Sequence, residues 1–549
     1  MVPGAIPQPQ PPDPMITSTT VAFLAFLCPQ DVRPERVYYD GLDERGQLTG
    51  GTVELSTPLA PASQGVTLAP VQTIAFGGAP SNRVDIVFVG DGYQAGELGL
   101  YAAHVTAQAA VFFQREPFTE YAEYFNVHQV DVISNDSGVD NDPTQGIMRD
   151  TAMGMRFWCS GIERLLCVNV GQAYSFAGNA PDVDLVAAIA NSSKYGGAGY
   201  PSSDLATASG ANGASTEVLL HEFGHALGNL ADEYHYSDGA TYNGPEVNDR
   251  NMSIRTATEQ TNLMTKWFRW VGTNNPAFDG LVNSFEGAGY NQFGLYRPTN
   301  NSLMRSLGRP FNLPSIEAIL RQIYVIVDPI DDSSSMAAVY DGTETLFVLP
   351  MQPAGHALDV QWALDGMDIA GATGTTLDLC TLNLAPGQYS VSVTVVDNTT
   401  WVRDEALRAS LMTDTRTFSV DSGGPYCVAA SNSAGPGALM GSRGSVQLSA
   451  SNLVVTVDGA PASVFGLFFH GTTRLQAPFG DGFRCAGGQT RRLPVQQVSA
   501  GGHAERVFDG QAAGIPPSEE RVFQFWYRDG AAGGAGYNTS NGLAVTFCP

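Results

Sequence analysis

The chain has 549 residues, 43% of them hydrophobic, and carries a formal net charge of -26 because 54 acidic side chains outnumber 28 basic ones. The hydrophobic content excludes a mainly disordered protein, and the length exceeds what one core supports, so about three or four domains are expected. The acidic surface repels phosphate groups, which argues against nucleic acid as a partner. No apolar run reaches the roughly 18 residues that a membrane span needs.

Residues 1–70 are interpreted as an N-terminal extension. Residues 18–28 are apolar, as in the middle of an export signal, but no positive charge precedes them and prolines crowd residues 3–14. A buried strand fits the apolar segment about as well. The extension is therefore interpreted as an export signal or as the remnant of a propeptide.

Strand-like and helix-like segments alternate after this extension. Residues 84–89 form a continuous apolar run that suits a buried strand, residues 98–113 have the pattern of a helix, and residues 126–133 return to a strand. A further helix is predicted near residues 183–190. A stretch rich in Ser, Gly and Ala, residues 192–213, follows it. This order predicts an α/β arrangement.

An acidic loop after the second predicted strand offers oxygen ligands of the type that Ca²⁺ prefers. They are Asn135, Asp136, Asp140, Asn141 and Asp142. Their spacing differs from that of an EF-hand loop, so a solvated acidic turn is the favoured interpretation and a calcium site the weaker one.

The seven cysteines indicate an oxidising compartment and hence a secreted protein. Cys159 and Cys167 are close enough in sequence to close a small loop, and a disulfide is predicted between them. An odd number leaves at least one thiol unpaired or paired elsewhere, and Cys28 or Cys380 is predicted to be that residue.

The segment of residues 216–234, TEVLLHEFGHALGNLADEY, carries the most chemical information. On a helix, His221 and His225 lie one turn apart on the same face and can share one metal ion, with Glu222 beside them. A catalytic zinc site uses three protein ligands and leaves a fourth position for water. Glu222 is then placed to take a proton from that metal-activated water as it attacks a peptide carbonyl. Histidine is only 8 of 549 residues, so a chance match is rare.

The third metal ligand depends on where this helix ends. Gly228 follows His225 by three residues, and glycine commonly ends a helix through a left-handed residue, so the chain is expected to bend back early. Ligands soon after this bend then become geometrically reasonable, and the nearest candidates are Asp232, Glu233 and His235. A later ligand from Glu246 or Asp249 would need a helix there, which the surrounding Asn, Gly and Pro disfavour.

These residues resemble the signature of the M64 metallopeptidases, the family named for bacterial IgA peptidases. The resemblance covers about residues 75–325 and extends to DIVFVGDGY at 85–93, FNVHQVD at 125–131, KYGG at 194–197 and SLMR at 302–305. It implies that Asp232 is the third zinc ligand. The related metzincin pattern would place that ligand at the position of Ala231, which cannot bind a metal.

The resemblance also implies two supporting features. Met304 would form the methionine turn that lies beneath the metal, although a core methionine filling a gap is the simpler interpretation. The segment that contains Tyr195, Gly196 and Gly197 would form the edge strand that pairs with an extended substrate, with a surface loop as the alternative.

The composition changes near residue 329. Short alternating strands are predicted at residues 345–349, 358–364 and 388–397, a spacing typical of an immunoglobulin-like sandwich over residues 329–421. Residues 386–397, PGQYSVSVTVVD, also resemble the penultimate strands of PKD-like modules. Residues 422–549 are rich in Gly and Ala with further β patterning, and a second β-sandwich is predicted there. Its isolated histidines, His470 and His503, are interpreted as structural.

The sequence thus predicts a multidomain protein in which an α/β metzincin-like zinc peptidase domain, residues 71–328, precedes two all-β sandwich domains. The expected function is that of a secreted zinc endopeptidase acting on protein or peptide substrates, with Zn²⁺ as its cofactor. Two alternatives remain: a catalytically degenerate adhesion or binding protein on a peptidase scaffold, and a zinc amidase acting on cell-wall peptides. The sequence indicates neither cleavage preference nor oligomeric state, and IgA cleavage is not predicted.

Overall fold

The computed structural model describes residues 32–58 and 68–549, so the apolar segment 18–28 and Cys28 lie outside the described residues. This part of the chain is a multidomain, largely β-sheet protein with few helices. The α-helices are α1 Leu98–Phe112, α2 Val170–Ala177, α3 Ser215–Ala226, α4 Ala257–Leu263, α5 Leu313–Ile326 and α6 Glu405–Leu411. No helix among the described residues is long and apolar enough to cross a membrane.

The first strands of the described chain build one mixed sheet. They are β1 Val32–Leu42, β2 Leu48–Pro58, β3 Val71–Phe76, β4 Val84–Asp91, β5 Phe125–Val130, β6 Leu185–Ala190, β7 Gly197–Tyr200 and β8 Leu205–Ser209. Their order is β2-β1-β7-β8-β6-β4-β5-β3. The central strands β8, β6, β4 and β5 run parallel, whereas β7 and the outer strands pair antiparallel. Parallel strands covered on both faces are uniformly apolar, which explains the continuous hydrophobic run in β4.

The helix predicted near residues 183–190 is wrong, because the segment forms β6 instead. All six residues of β6 are buried, and the strand lies between β8 and β4 at the centre of the sheet. A short, fully apolar run has no periodicity that separates a buried strand from a buried helix. The tertiary position therefore decided its structure.

Alternate residues of the central strands face two separate layers. Ile86 and Phe88 pack in the core that contains α1, α3 and α5, whereas Val87 and Val89 pack in a second core with α2. Helix α3 contributes Leu219, Leu220 and Phe223 to the first of these cores. Burying each such side chain stabilises the fold by about 1.5–3 kcal/mol, so α3 is firmly held against the sheet.

Short strands complete the region between α4 and α5. They are β9 Asn274–Asn275, β10 Gly280–Leu281, β11 Phe285–Ala288 and β12 Asn291–Arg297. The hairpin of β11 and β12 brings Tyr290, in its turn, towards the C-terminal end of α3. This turn supplies a contact to the site described below.

From residue 330 to residue 421 the chain is mostly strand. The strands are β13 Ile330–Ser333, β14 Val339–Tyr340, β15 Thr345–Pro350, β16 Asp359–Leu364, β17 Met367–Asp368, β18 Thr376–Asp378, β19 Gln388–Val396 and β20 Thr413–Asp421. They form a sheet β13-β15-β18 and a sheet β14-β20-β19-β16-β17. Leu346 and Val348 of the first sheet share a core with Trp362 of the second.

The last part of the chain is also built from strands. They are β21 Gly423–Tyr426, β22 Leu439–Arg443, β23 Leu453–Asp458, β24 Phe465–Gly471, β25 Thr473–Phe479, β26 Gly482–Gly487, β27 Arg491–Arg492, β28 Gln496–Gln497, β29 Ala504–Phe508, β30 Glu520–Arg528, β31 Tyr537–Thr539 and β32 Gly542–Thr546. The largest sheet runs β21-β32-β30-β24-β27, and the sheet β22-β23-β29 shares a core with it.

Disulfides join three pairs of cysteines in the described chain. Cys159 is bonded to Cys167, Cys380 to Cys548, and Cys427 to Cys485. The prediction that Cys380 could remain unpaired is therefore wrong. Its partner lies 168 residues away, and a pairing over that distance cannot be deduced from cysteine spacing alone.

Candidate metal centre

Helix α3 presents His221 and His225 towards one point. The Nδ1 of His221 lies 3.0 Å from the carbonyl oxygen of Leu303, and the Nδ1 of His225 lies 2.7 Å from that of Leu230. A carbonyl only accepts, so each Nδ1 donates its proton, and in the neutral imidazole Nε2 then keeps its lone pair. The two Nε2 atoms are 3.1 Å apart. Backbone contacts thus prepare both imidazoles as metal ligands.

The chain bends back after α3 and brings Asp232 to the same point. Helix α3 ends at Ala226, and Asn229 adopts a left-handed conformation with φ of 50°. The Oδ1 of Asp232 then lies 3.1 Å from Nε2 of His221 and 3.5 Å from Nε2 of His225. Its other oxygen, Oδ2, accepts a hydrogen bond of 2.5 Å from the hydroxyl of Tyr290.

The other sequence candidates for the third ligand point elsewhere. The buried carboxylate of Glu233 accepts hydrogen bonds from Ser302, Asn251 and Asn312, and burial raises its pKa to about 7. The Nδ1 of His235 contacts the carbonyl oxygen of Tyr236. The carboxylate of Glu246 pairs with Arg255. Asp232 is therefore the candidate that the fold joins to the two histidines.

Asp40 is a fourth donor at this point, and sequence reasoning missed it. Its Oδ2 lies 2.6 Å from Nε2 of His221, and its Oδ1 accepts a hydrogen bond of 2.7 Å from the hydroxyl of Tyr234. Asp40 lies on β1, far upstream of the HExxH motif, and no spacing links the two. Only the pairing of strands in the sheet brings them together.

Three of the four donors, those of His221, His225 and Asp232, have the spacing of ligands on one zinc ion. One ligand atom from each of Asp40, His221, His225 and Asp232 lies within 4.8 Å of the others, and among the described residues this is the group of His, Cys, Asp or Glu so arranged. Donors about 2.0–2.2 Å from a tetrahedral zinc are separated by roughly 3.3 Å. The contacts to Asp232 and between the histidines match that separation, whereas the 2.6 Å between Asp40 Oδ2 and His221 Nε2 is shorter than it. Two imidazoles with carboxylate oxygens also suit zinc chemically.

Glu222 lies beside the donors and is fully buried. Neither of its carboxylate oxygens has a hydrogen-bond partner in the described part of the chain. Its pKa is raised well above the ordinary value because burial disfavours the charge and Asp40 repels it. A Cβ on Gly199 would come within 2.9 Å of Glu222 Oε2, so glycine on β7 leaves room for this carboxylate.

Met304 lies beneath α3. Its sulfur is 2.5 Å from the position that a Cβ on Gly224 would take, and its carbonyl oxygen accepts a hydrogen bond of 2.7 Å from the backbone of Glu233. The preceding residue, Leu303, provides the carbonyl that orients His221. Leu303 and Met304 thus pack against α3 and contact both His221 and the chain that follows Asp232.

The segment interpreted as a substrate-binding edge is covered by the chain itself. Tyr195 and Gly196 precede β7, and Gly197 begins it. Strand β7 pairs with β8 on one side and with β1 on the other, through Tyr38 and Gly199. The edge that a peptide would use is therefore occupied by β1.

The side chains of the acidic loop accept hydrogen bonds from backbone N–H groups. Asp140 accepts from the backbone N–H of Arg149, Asp136 from that of Asp150, and Asn141 from that of Gly146. The carboxylates of this loop do not converge on one point in the described structure. The weaker calcium interpretation therefore gains no support from their arrangement.

Comparison with known protein families identifies the segment that carries this centre. Residues 73–279 match the family model described as IgA Peptidase M64. Residues 73–279, called the M64 segment below, are therefore similar to the M64 peptidases. The M64 segment contains His221, Glu222, His225 and Asp232, but Asp40 lies before its first residue and Met304 after its last.

Comparisons of the whole chain add little to this. No curated protein matches it. One solved structure, "Crystal structure of tetra-tandem repeat in extending region of large adhesion protein", matches with 11% sequence identity and a TM-score of 0.14. That match spans 38% of this chain and about half, 47%, of the other. A likeness this weak carries no argument about fold or function.

Proposed function

We propose that the protein is a secreted zinc-dependent endopeptidase that hydrolyses peptide bonds in protein or peptide substrates. The observation that carries this proposal is the convergence of His221, His225 and Asp232 beside the unpartnered carboxylate of Glu222, within an M64 segment. The disulfides among the described residues are consistent with an extracellular protein.

Each residue of the centre has a defined part in this function. When bound, zinc would polarise the substrate carbonyl and make a water molecule acidic. His221, His225 and Asp232 would hold the ion, and the hydroxyl of Tyr290 orients Asp232. Glu222 is the general base: its free oxygens accept the proton of the attacking water and deliver it to the leaving amine.

The regions around the M64 segment complete the proposal. We place the peptidase domain at residues 71–328, an immunoglobulin-like or PKD-like sandwich at 329–421 and a second β-sandwich at 422–549. Isolated β modules of this type position or bind rather than catalyse. Cleavage preference resides in the loops around the cleft, so IgA is not proposed as the substrate.

One observation favours the alternative of a catalytically degenerate binding protein. Structural zinc sites are closed by four protein ligands, whereas catalytic sites keep one position open. With Asp40 in place, this centre has four donors. The zinc amidase alternative keeps the same metal site and differs only in substrate, and no feature of the described structure favours it.

The deciding experiment compares the full-length wild type with Glu222→Gln on a denatured protein mixture, with zinc content measured on both. General-base catalysis contributes about 10²–10⁴-fold, so the variant should lose turnover by that factor while retaining zinc. Glu123→Gln, which changes an exposed carboxylate of the M64 segment, is the matched control. Turnover that survives in Glu222→Gln, or that resists a chelator, would contradict the proposal.

A further inference from the structure

The hairpin of β1 and β2 is the part of the chain that closes the metal centre. It lies before the M64 segment in sequence, yet Asp40 on β1 reaches Nε2 of His221 at 2.6 Å. The inference drawn below rests on the proposed function, because it concerns access to the same centre.

Burial of the centre is complete while this hairpin is in place. His221, Glu222, His225 and Asp232 each have 0% of their surface exposed, and Asp40 has 1%. A substrate carbonyl must approach Glu222 and the open metal position closely for hydrolysis. The described arrangement leaves no surface at which it could do so. Hydrolysis therefore requires a state in which part of this cover has moved.

Strand β1 also occupies the position of an extended substrate. It pairs antiparallel with β7 through Tyr38 and Gly199, and peptide substrates bind exposed sheet edges in the same manner. Gly199 has no room for a side chain, since a Cβ there would meet Glu222 and His225. Strand β7 therefore lies directly against α3 at Gly199, and β1 pairs with β7 at the same residue.

The contacts of the hairpin suggest how it can leave. Strand β1 pairs with β2 along its whole length, but with β7 only at Tyr38 and Gly199. Beyond this pairing, the ring of Tyr38 stacks on His225 at 4.0 Å between centroids, and Val37 packs in the second core. Side-chain hydrogen bonds also join the hairpin to the rest of the chain, from Tyr38 to Asp249, from Ser203 to Glu35, from Tyr234 to Asp40 and between Tyr236 and the backbone of Gly50. The ladder between β1 and β2 does not depend on these contacts, so the hairpin can move as a unit when they break.

We propose that the β1–β2 hairpin is an autoinhibitory segment in which Asp40 takes the fourth position on the metal and β1 takes the place of the substrate strand. The centre becomes catalytic when the hairpin leaves the cleft. The competing interpretation is that Asp40 is a permanent ligand of a structural zinc site.

The test uses the full-length protein loaded with Co²⁺, whose visible absorption reports the ligands of the ion. Wild type is compared with Asp40→Asn, which keeps the shape of the side chain and a carbonyl oxygen for Tyr234, and with Asp40→Ala. Glu54→Gln is the matched control, because Glu54 is an exposed carboxylate of the same hairpin. Retention of the metal against a chelator and turnover of denatured protein are measured on each.

Both Asp40 variants should change the Co²⁺ spectrum and lose metal about 10–100-fold more readily, while turnover rises about 10-fold or more because the open state is more populated. Glu54→Gln should match wild type in every measurement. Circular dichroism establishes that each variant is folded, and Asp40→Asn provides the comparison if Asp40→Ala is not.

An unchanged spectrum in Asp40→Asn would overturn the ligand role of Asp40. A changed spectrum with turnover equal to or below that of wild type would overturn the inhibitory role and establish a permanent ligand. Failure of the wild type to bind Co²⁺ or Zn²⁺ at all would instead overturn the proposed peptidase function. The metal measurement therefore separates the two failures.

Discussion

Two regions of the molecule bring an aspartate to the same point, and they do so by different means. Asp232 follows α3 within one continuous segment, and its Oδ1 lies near both histidines. Asp40 comes from the β1–β2 hairpin and lies near His221 alone. The M64 segment therefore supplies one of the two aspartates, and the β1–β2 hairpin outside that segment supplies the other.

The packing of these regions differs as much as their origin. Helix α3 buries Leu219, Leu220 and Phe223 in the largest core of the protein. The hairpin contributes Val37 to the second core, against which the partly buried Tyr39, Val53 and Leu55 also pack, and Tyr38 to a small satellite cluster. Elements with little buried apolar surface open at lower free energy than elements of the core. Under the proposal above, a ligand on α3 or its loop stays in place, whereas the ligand on the hairpin leaves when the hairpin moves.

The largest effect is expected for Asp232→Asn, because this substitution removes the proposed metal ligand that the M64 segment supplies. Loss of a residue that only hydrogen-bonds to a metal ligand lowers metal affinity or activity by about 10–100-fold. Loss of the ligand itself should therefore reduce zinc affinity and turnover by at least about 100-fold. Zinc titration and peptide hydrolysis measure both. Asp238→Asn, an exposed aspartate of the same loop, should be neutral. If turnover rose in Asp232→Asn, as it is expected to do in Asp40→Asn, the two aspartates would not have the different roles proposed for them.

A smaller loss is expected for Tyr290→Phe. Its hydroxyl donates to Asp232 Oδ2, and removal of such an orienting hydrogen bond should lower metal affinity or kcat/KM by about 10-fold. Metal retention and kcat/KM would be measured together. Values equal to wild type for both would show that packing alone orients Asp232.

Turnover is expected to increase in Tyr236→Phe, because this substitution weakens the contact between the hairpin and the rest of the protein. Its hydroxyl both donates to and accepts from the backbone of Gly50. A hydrogen bond contributes about 0.5–1.5 kcal/mol, so opening and turnover should rise about 2–10-fold. Tyr242→Phe removes a hydroxyl that bonds only locally to Pro245 and should leave turnover unchanged. Reduced turnover in Tyr236→Phe would instead show that Tyr236 supports catalysis and does not hold the hairpin closed.

The smallest effect is expected for His356→Gln, a substitution remote from both regions. His356 contacts Asp397 at 2.8 Å and Glu120 at 2.6 Å, and these hydrogen bonds raise its pKa to about 9. A raised pKa stabilises the fold fully below the unfolded value of about 6.5, and the gain is lost as pH rises through 9. The variant should therefore unfold at a lower temperature than wild type at pH 6.

The cost at pH 6 should be about 1–2 kcal/mol after allowance for solvent screening, and it should vanish near pH 10. Thermal unfolding at both pH values measures this difference. Zinc content and turnover should stay at wild-type levels, which provides the baseline for the comparison of α3 with the hairpin. A deficit that is equal at both pH values would show that packing, and not the charge of His356, accounts for it.

Much of the candidate metal centre in the M64 segment was predictable, because its residues lie close together in sequence. The spacing of His221 and His225 follows from the helical turn, and the early bend after α3 limited the third ligand to a few neighbours. The M64 resemblance is confirmed over residues 73–279. Local pattern failed at β6, where a short buried strand and a short buried helix look alike.

The sequence by itself determined the identity and order of the groups to which the proposal assigns the chemistry: two imidazoles one turn apart, a carboxylate beside them and an aspartate after the bend. Only the tertiary structure decided which cysteines pair, how β7 is covered and that Asp40 reaches His221. The physical reason is that helix geometry relates neighbours in sequence, whereas strand pairing joins residues at any separation. Access to the metal centre depends on that second kind of contact.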